Sequence, residues 1–213
     1  IKYWIQNEKL KRVLLEEKLS TEMAFLKSKI NPHFLFNVLN SFYAISLKYN
    51  APELAEGIAK LAELMRYMVF ETNEDKVALE KEIHYLKNFI QVYQLRIAED
   101  DDVSINFVVK GTVNTVKISP MLLIPFVENA VKHGIDPKTK SIIDISLKVE
   151  QKKLYFKVTN TIHRSFDGLI DEPSGFGLDN LKKRLSILYP NKYTLDTREE
   201  NGYYLSLLTL QLD

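Results

Sequence analysis

A chain of 213 residues with 46% hydrophobic and 27% charged side chains has the make-up of an ordinary globular protein of one large or two small domains, which excludes disorder and rod-like coiled coils. The 29 basic and 28 acidic residues balance to a formal +1, in each half as in the whole, so a nucleic-acid binder working by bulk charge is excluded. There is no cysteine, hence no disulfide, thiolate zinc site or cysteine nucleophile, and the longest apolar run, Met121 to Val127, is far short of a membrane span.

The chain opens Ile1-Lys2-Tyr3-Trp4-Ile5 with no initiator methionine and no signal-peptide pattern, which reads as an excerpt of a longer protein. A Tyr-Trp pair beside lysine is also common where a membrane helix emerges at its water interface. Leu19, Met23, Leu26 and Ile30 form a short heptad seam of the kind that pairs helices. The seam runs into Asn31-Pro32-His33 and continues through Phe34, Leu35, Val38, Leu39 and Phe42, predicting a long helix to about Leu47, bent by Pro32. Asn50-Ala51-Pro52 is a turn, and a second helix follows with Leu54, Ile58, Leu61, Met65 and Met68 on one face. Two such helices per chain predict a dimerising hairpin that becomes a four-helix bundle when two chains meet. Residues 79–97 read as a third helix leaving the bundle.

Six of the seven glycines lie at or after Gly111, and from Val103 the apolar period changes to two. Residues 103–109, 141–149 and 153–159 read as strands. Ser119-Pro120 reads as a cap and first-turn proline opening a helix through about Lys132. Gly175-Phe176-Gly177 precedes a helix to about Tyr189, and Asn201-Gly202 is a hairpin turn between strands 193–198 and 203–212. The fold class is α+β: helices over residues 1–98, then helices on a mostly antiparallel sheet over 99–213.

Three windows carry chemistry. His33 lies in Asn31-Pro32-His33-Phe34-Leu35-Phe36-Asn37, where a neutral imidazole on a helix surface is a nucleophile for a phosphoryl group. Asn37 is one turn along, placed to orient a water or the incoming phosphoryl group. The same residues also suit a plain polar kink. Glu128, Asn129, Lys132 and His133 share one helix edge before Gly134. There a carboxylate and an amide suit Mg²⁺ and a lysine suits phosphate, though a solvated helix end reads equally well. Gly175 and Gly177 before a helix with Leu178, Asn180 and Arg184 let free amides meet phosphate oxygens, or form a plain loop-to-helix junction. His84 and His163 read as surface or core histidines, and Glu99 to Asp102 as a solvated turn.

Taken in order, Pro32 to Asn37, Pro125 to Gly134, and Gly175 to Asn180 with Arg184 and Tyr189-Pro190 resemble the phosphoacceptor window, N box and last glycine box of LytS-type sensor histidine kinases. The resemblance implies a helical phosphoacceptor pair followed by a Bergerat-type ATP-binding sandwich. It implies His33 as the phosphorylated residue and Asn129, with Glu128, as Mg²⁺ ligands. Lys132 and His133 would approach phosphate, and Gly175, Gly177, Leu178, Asn180 and Arg184 would flank ATP. It further implies a homodimer, a response-regulator receiver partner, and a membrane sensor segment upstream that sets the chain at the cytoplasmic face of a bacterial inner membrane. The chain departs from commoner kinases in three places, one of them Pro125, which stands where many carry a further asparagine four residues before the one matching Asn129. Phe34 stands where an acid follows the histidine, leaving Glu128 as the candidate base. Asn160, in Val158-Thr159-Asn160-Thr161-Ile162, stands where an aspartate reads adenine. These departures leave open a nucleotide-binding scaffold or phosphatase with little kinase activity, and a gyrase-like clamp.

Overall fold

The structure is a computed structural model that describes residues 32–98, 101–137, 139–163 and 176–212. The predicted seam Leu19, Met23, Leu26 and Ile30, and Gly175, lie outside the described residues. The chain divides into two compact units, the division falling between Ala62 and Glu63. The sequence-based boundary at 98/99 falls inside the second of them.

In the first unit, α1 (Pro32–Lys48) ends at a turn in which Ala51 N–H donates to the Ser46 carbonyl at 2.9 Å. Asn50 takes φ +53°, a left-handed conformation that asparagine tolerates and that stops helices. Pro52 then opens α2 (Pro52–Phe70), where its fixed φ fits a first-turn position. The predicted apolar stripe of α2 is not a buried face: Leu54 and Leu61 are exposed, while Ala55, Leu64 and Tyr67 are buried. On α1, Phe34, Phe42, Ile45 and Leu47 are likewise exposed, so the hairpin keeps apolar surface in water.

The second unit is a layer of helices on one face of a sheet. After β1 (Val77–Ala78) comes α3 (Leu79–Gln94), whose Leu79, Ile83, Leu86 and Ile90 enter the same core as the sheet. That apolar face is why the third helix packs with this unit rather than departing freely. The remaining elements are β2 (Val103–Lys110), β3 (Lys117–Ile118), α4 (Ile124–Gly134), β4 (Ser141–Glu150), β5 (Lys153–Thr161), α5 (Phe176–Leu188), β6 (Tyr193–Glu200) and β7 (Tyr203–Gln211). The main sheet has order β2-β4-β5-β7-β6, with β2 parallel to β4 and the other pairs antiparallel. This is the α+β architecture the alternation predicts.

Alternation sorts the faces. Ile143, Ile145, Leu147, Leu154, Phe156, Val158, Leu208 and Leu210 are buried towards the helices, with Phe126 of α4 edge-on to Phe156 at 5.7 Å. Asp144, Ser146, Lys148 and Lys157 take the other face. Asn201-Gly202 turns the last hairpin with both residues at positive φ, as the dipeptide predicts. Gln151 and Lys152 do the same between β4 and β5 without a glycine, so no turn signal announced the geometry.

One predicted element moves. The helix expected from Ser119-Pro120 begins at Ile124, with Pro125 as its first-turn proline. Residues 119–122 are held out of helix by side chains from distant parts of the chain, which local sequence cannot reveal. The short pair β1–β3, registering Val77 with Ile118, was also too brief to show as alternation.

Candidate functional site

On α1, His33 and Asn37 are both exposed and one turn apart. Asn37 Nδ2 lies 3.3 Å from His33 Nδ1, and Ser41 Oγ donates to the Asn37 carbonyl at 2.9 Å. This contact bears on tautomer. An amide N–H donating to Nδ1 leaves the ring proton on Nε2; a half-turn of the amide presents Oδ1 to an Nδ1–H and frees the Nε2 lone pair. Asn37 can therefore select which nitrogen is nucleophilic without a neighbouring carboxylate.

On α4 the buried set is Ile124, Phe126, Val127, Ala130, Val131 and Gly134. The spacing leaves Glu128 and Lys132 exposed, with Asn129 and His133 half-buried beside them, so the four lie along one polar edge. Partial burial raises the Glu128 carboxyl above the usual carboxylate range. The buried Tyr85 phenol is pushed up in turn, by its own burial first and then by the charges of Glu128 and Glu82.

The start of α4 is held by a buried clamp. Glu82 of α3 accepts hydrogen bonds from Met121 N–H at 2.7 Å, Leu122 N–H at 3.3 Å and the Tyr67 hydroxyl. Arg184 of α5 donates to the carbonyls of Met121, at 3.1 Å, and Pro120. Tyr189 OH accepts from Ser119 N–H at 2.8 Å. Met121, at φ +55°, is thus gripped at its amide by one helix and at its carbonyl by another. Burial pushes Glu82 up against the pull of its donors, and pushes Arg184 down. Sequence reading set Arg184 beside the nucleotide; its guanidinium is engaged with the 120–121 backbone. Glu82 and Tyr67 were missed because their partners lie 15 to 40 residues away.

At the far end of α4, Gly134 meets Asn160 of β5. A Cβ on Gly134 would sit 2.6 Å from Asn160 Cβ and 2.9 Å from its Nδ2, so only glycine allows the approach. Asn160 is 3% exposed, and its Nδ2 donates to the Thr161 carbonyl at 2.9 Å. An aspartate could not make that bond. On α5, Gly177 lies in the first turn, Leu178 packs against the core and Asn180 is exposed. His84 is a surface residue, its Nε2 3.0 Å from Glu63 Oε2.

Among the described residues no three His, Cys, Asp or Glu side chains converge as a metal cage. Glu128 and Asn129 are adjacent, hence about 100° apart around the helix, and do not chelate as a pair. The donor set still fits Mg²⁺, which is held by one or two protein oxygens and completed by phosphates and water. No described helix is long and apolar enough to cross a membrane.

Residues 21–101 match the family described as Histidine kinase. The sensor histidine kinase YpdA of Escherichia coli is 30% identical over 184 residues, covering 83% of this chain and 32% of that protein. The sensor protein LytS of Oceanobacillus iheyensis is 28% identical over 206 residues, 97% of this chain and 31% of that one. The chain thus spans about a third of the length of these relatives. Among solved structures, the histidine kinase domain of the blue-light activated kinase EL346 from Erythrobacter litoralis covers 92% of this chain and 96% of its own at 14% identity and a TM-score of 0.48. By sequence, the chain is similar to sensor histidine kinases, YpdA and LytS among them.

Proposed function

We propose that the chain is the phosphoacceptor and ATP-binding portion of a two-component sensor histidine kinase. The observation that carries this is that one chain holds an exposed His33–Asn37 couple on α1 and, in its other unit, a polar Glu128, Asn129, Lys132, His133 edge on α4 of an α+β sandwich. ATP binds along that edge. Its γ-phosphorus forms a bond to the unprotonated His33 ring nitrogen while the bond to the β,γ-bridging oxygen breaks, ADP departs, and the proton on the other ring nitrogen is lost to solvent or to Glu128. The phosphoryl group then passes to an aspartate of a response-regulator receiver domain.

The chain's residues act by position and charge. Asn37 sets the imidazole tautomer. Lys132 places a cation against the phosphates. Asn129 supplies an oxygen for Mg²⁺, which neutralises phosphate charge when bound. Gly175 and Gly177 let the backbone approach the nucleotide, and Asn160 faces the base. The exposed apolar surface of α1 and α2 supports a homodimer through these helices, and the word sensor in the relatives' names supports a signalling role.

The test is incubation of the dimer with γ-labelled ATP and Mg²⁺. Acid-labile, base-stable label present in wild type and absent from His33→Gln supports the kinase. Nucleotide binding without label supports a scaffold or phosphatase, and ATP hydrolysis without label supports a clamp.

A further inference from the structure

The loop after α4 returns to the end of β5 through one imidazole. His163 Nε2 lies 3.2 Å from the Gly134 carbonyl and 3.0 Å from Ser141 Oγ, and Nδ1 lies 3.0 Å from Thr139 Oγ1. The partners fix the protons. A carbonyl can only accept, so Nε2 carries the hydrogen, and in the neutral ring Nδ1 accepts from the Thr139 hydroxyl. Ser141 is wholly buried and completes the set. It accepts from Asp136 N–H at 3.0 Å and directs its own proton to the carbonyl of Thr139, at 3.1 Å, or of Asp136, at 3.2 Å.

This ring of bonds ties three segments together: the last residue of α4, the loop to β4, and the chain three residues beyond Asn160. Gly134 is the shared point, because Asn160 packs on its Cα and His163 draws its carbonyl. We propose that His163 is a positioning residue of the nucleotide site. Its Nε2–H holds Gly134 at the one separation that lets Asn160 face the base, and it does so without touching nucleotide. The inference rests on the ATP-binding reading above.

The test is calorimetry of wild type and variants with a non-hydrolysable ATP analogue and Mg²⁺, alongside His33 labelling against ATP concentration. His163→Gln keeps a donor at the Nε2 position and is expected to bind within about twofold of wild type. His163→Asn and His163→Ala lose that donor and are expected to weaken binding about five- to tenfold, within the about two- to twelvefold that one net hydrogen bond spans. In labelling, KM for ATP rises by that factor while the rate at saturating ATP is unchanged. Equal affinities across the series, or an equal loss in the glutamine and asparagine variants, would overturn the proposal. Should His163→Ala not fold, Thr139→Val removes only the donor to Nδ1. About threefold weaker binding is expected there, and unchanged affinity overturns it. A wild type that binds no ATP fails the nucleotide reading first, before any variant is compared, and the positioning role falls with it.

Discussion

The clamp on Met121 makes a quantitative prediction about stability. In Glu82→Ala, the Met121 and Leu122 amides and the Tyr67 hydroxyl lose their acceptor in a buried setting. Each orphaned donor costs about 1–3 kcal/mol, so the loss from all three is expected at about 3–9 kcal/mol, a large share of the 5–15 kcal/mol typical of a domain. Tyr67→Phe keeps the ring against Tyr85, at 4.9 Å between centroids, and removes only the hydroxyl donated to a carboxylate. About 1.5–3 kcal/mol is expected there. Because the two side chains touch, the double variant Tyr67→Phe with Glu82→Gln should fall short of additivity by about 0.5–3 kcal/mol. Urea unfolding of the set at pH 7 measures all three values. A Tyr67→Phe loss below about 0.5 kcal/mol, with an additive double variant, would show that the hydroxyl bond carries no stabilisation.

Glu82 also sets a pH dependence: burial raises its folded pKa above the unfolded value, so its contribution is fully present below the unfolded pKa and is lost as pH rises through the folded one. The stability difference between wild type and Glu82→Gln should therefore shrink from acid towards neutral pH in urea titrations, and a difference that grows with pH would contradict this. Gly134→Ala places a methyl 2.6 Å from Asn160 Cβ and is expected to cost about 1–3 kcal/mol in thermal unfolding, with weaker ATP binding. Lys152→Gly relieves a left-handed non-glycine turn residue at φ +59° and should stabilise by about 0.5–1 kcal/mol. Asn37→Asp, whose carboxylate can only accept, should favour the Nδ1–H tautomer and sustain or raise His33 labelling where Asn37→Ala lowers it; equal loss in both would remove the tautomer role.

Sequence carried the architecture well wherever periodicity ran for more than about six residues. The strands of the main sheet, the Asn201-Gly202 hairpin and the turn at Asn50 all stand near their expected places. It failed where conformation is imposed from a distance. Ser119-Pro120 has the local chemistry of a helix start, yet Glu82, Arg184 and Tyr189 hold residues 119–122 in another path. For the candidate site, His33, Asn37 and the α4 edge were legible because helical spacing alone places them. Asn160's contact with Gly134 and the bonds of His163 were not, since they join residues 22 to 29 apart whose types carry no motif. The stripe of α2 is a different case. Periodicity reports that a face is apolar, not that a single chain covers it.

The last strand pair bears on how such molecules associate. On the sheet margin β6, Arg198 pairs with Asp196 and, at 3.2 Å, with Glu200, and stands opposite Leu205. That leucine is only 9% exposed. A margin carrying alternating charges is a poor template for another strand, because each added chain would have to desolvate them. The sandwich is thereby kept from growing edge to edge through β6 at high local concentration. By contrast, the exposed Phe42, Ile45 and Leu47 of α1 have no charged residue among them.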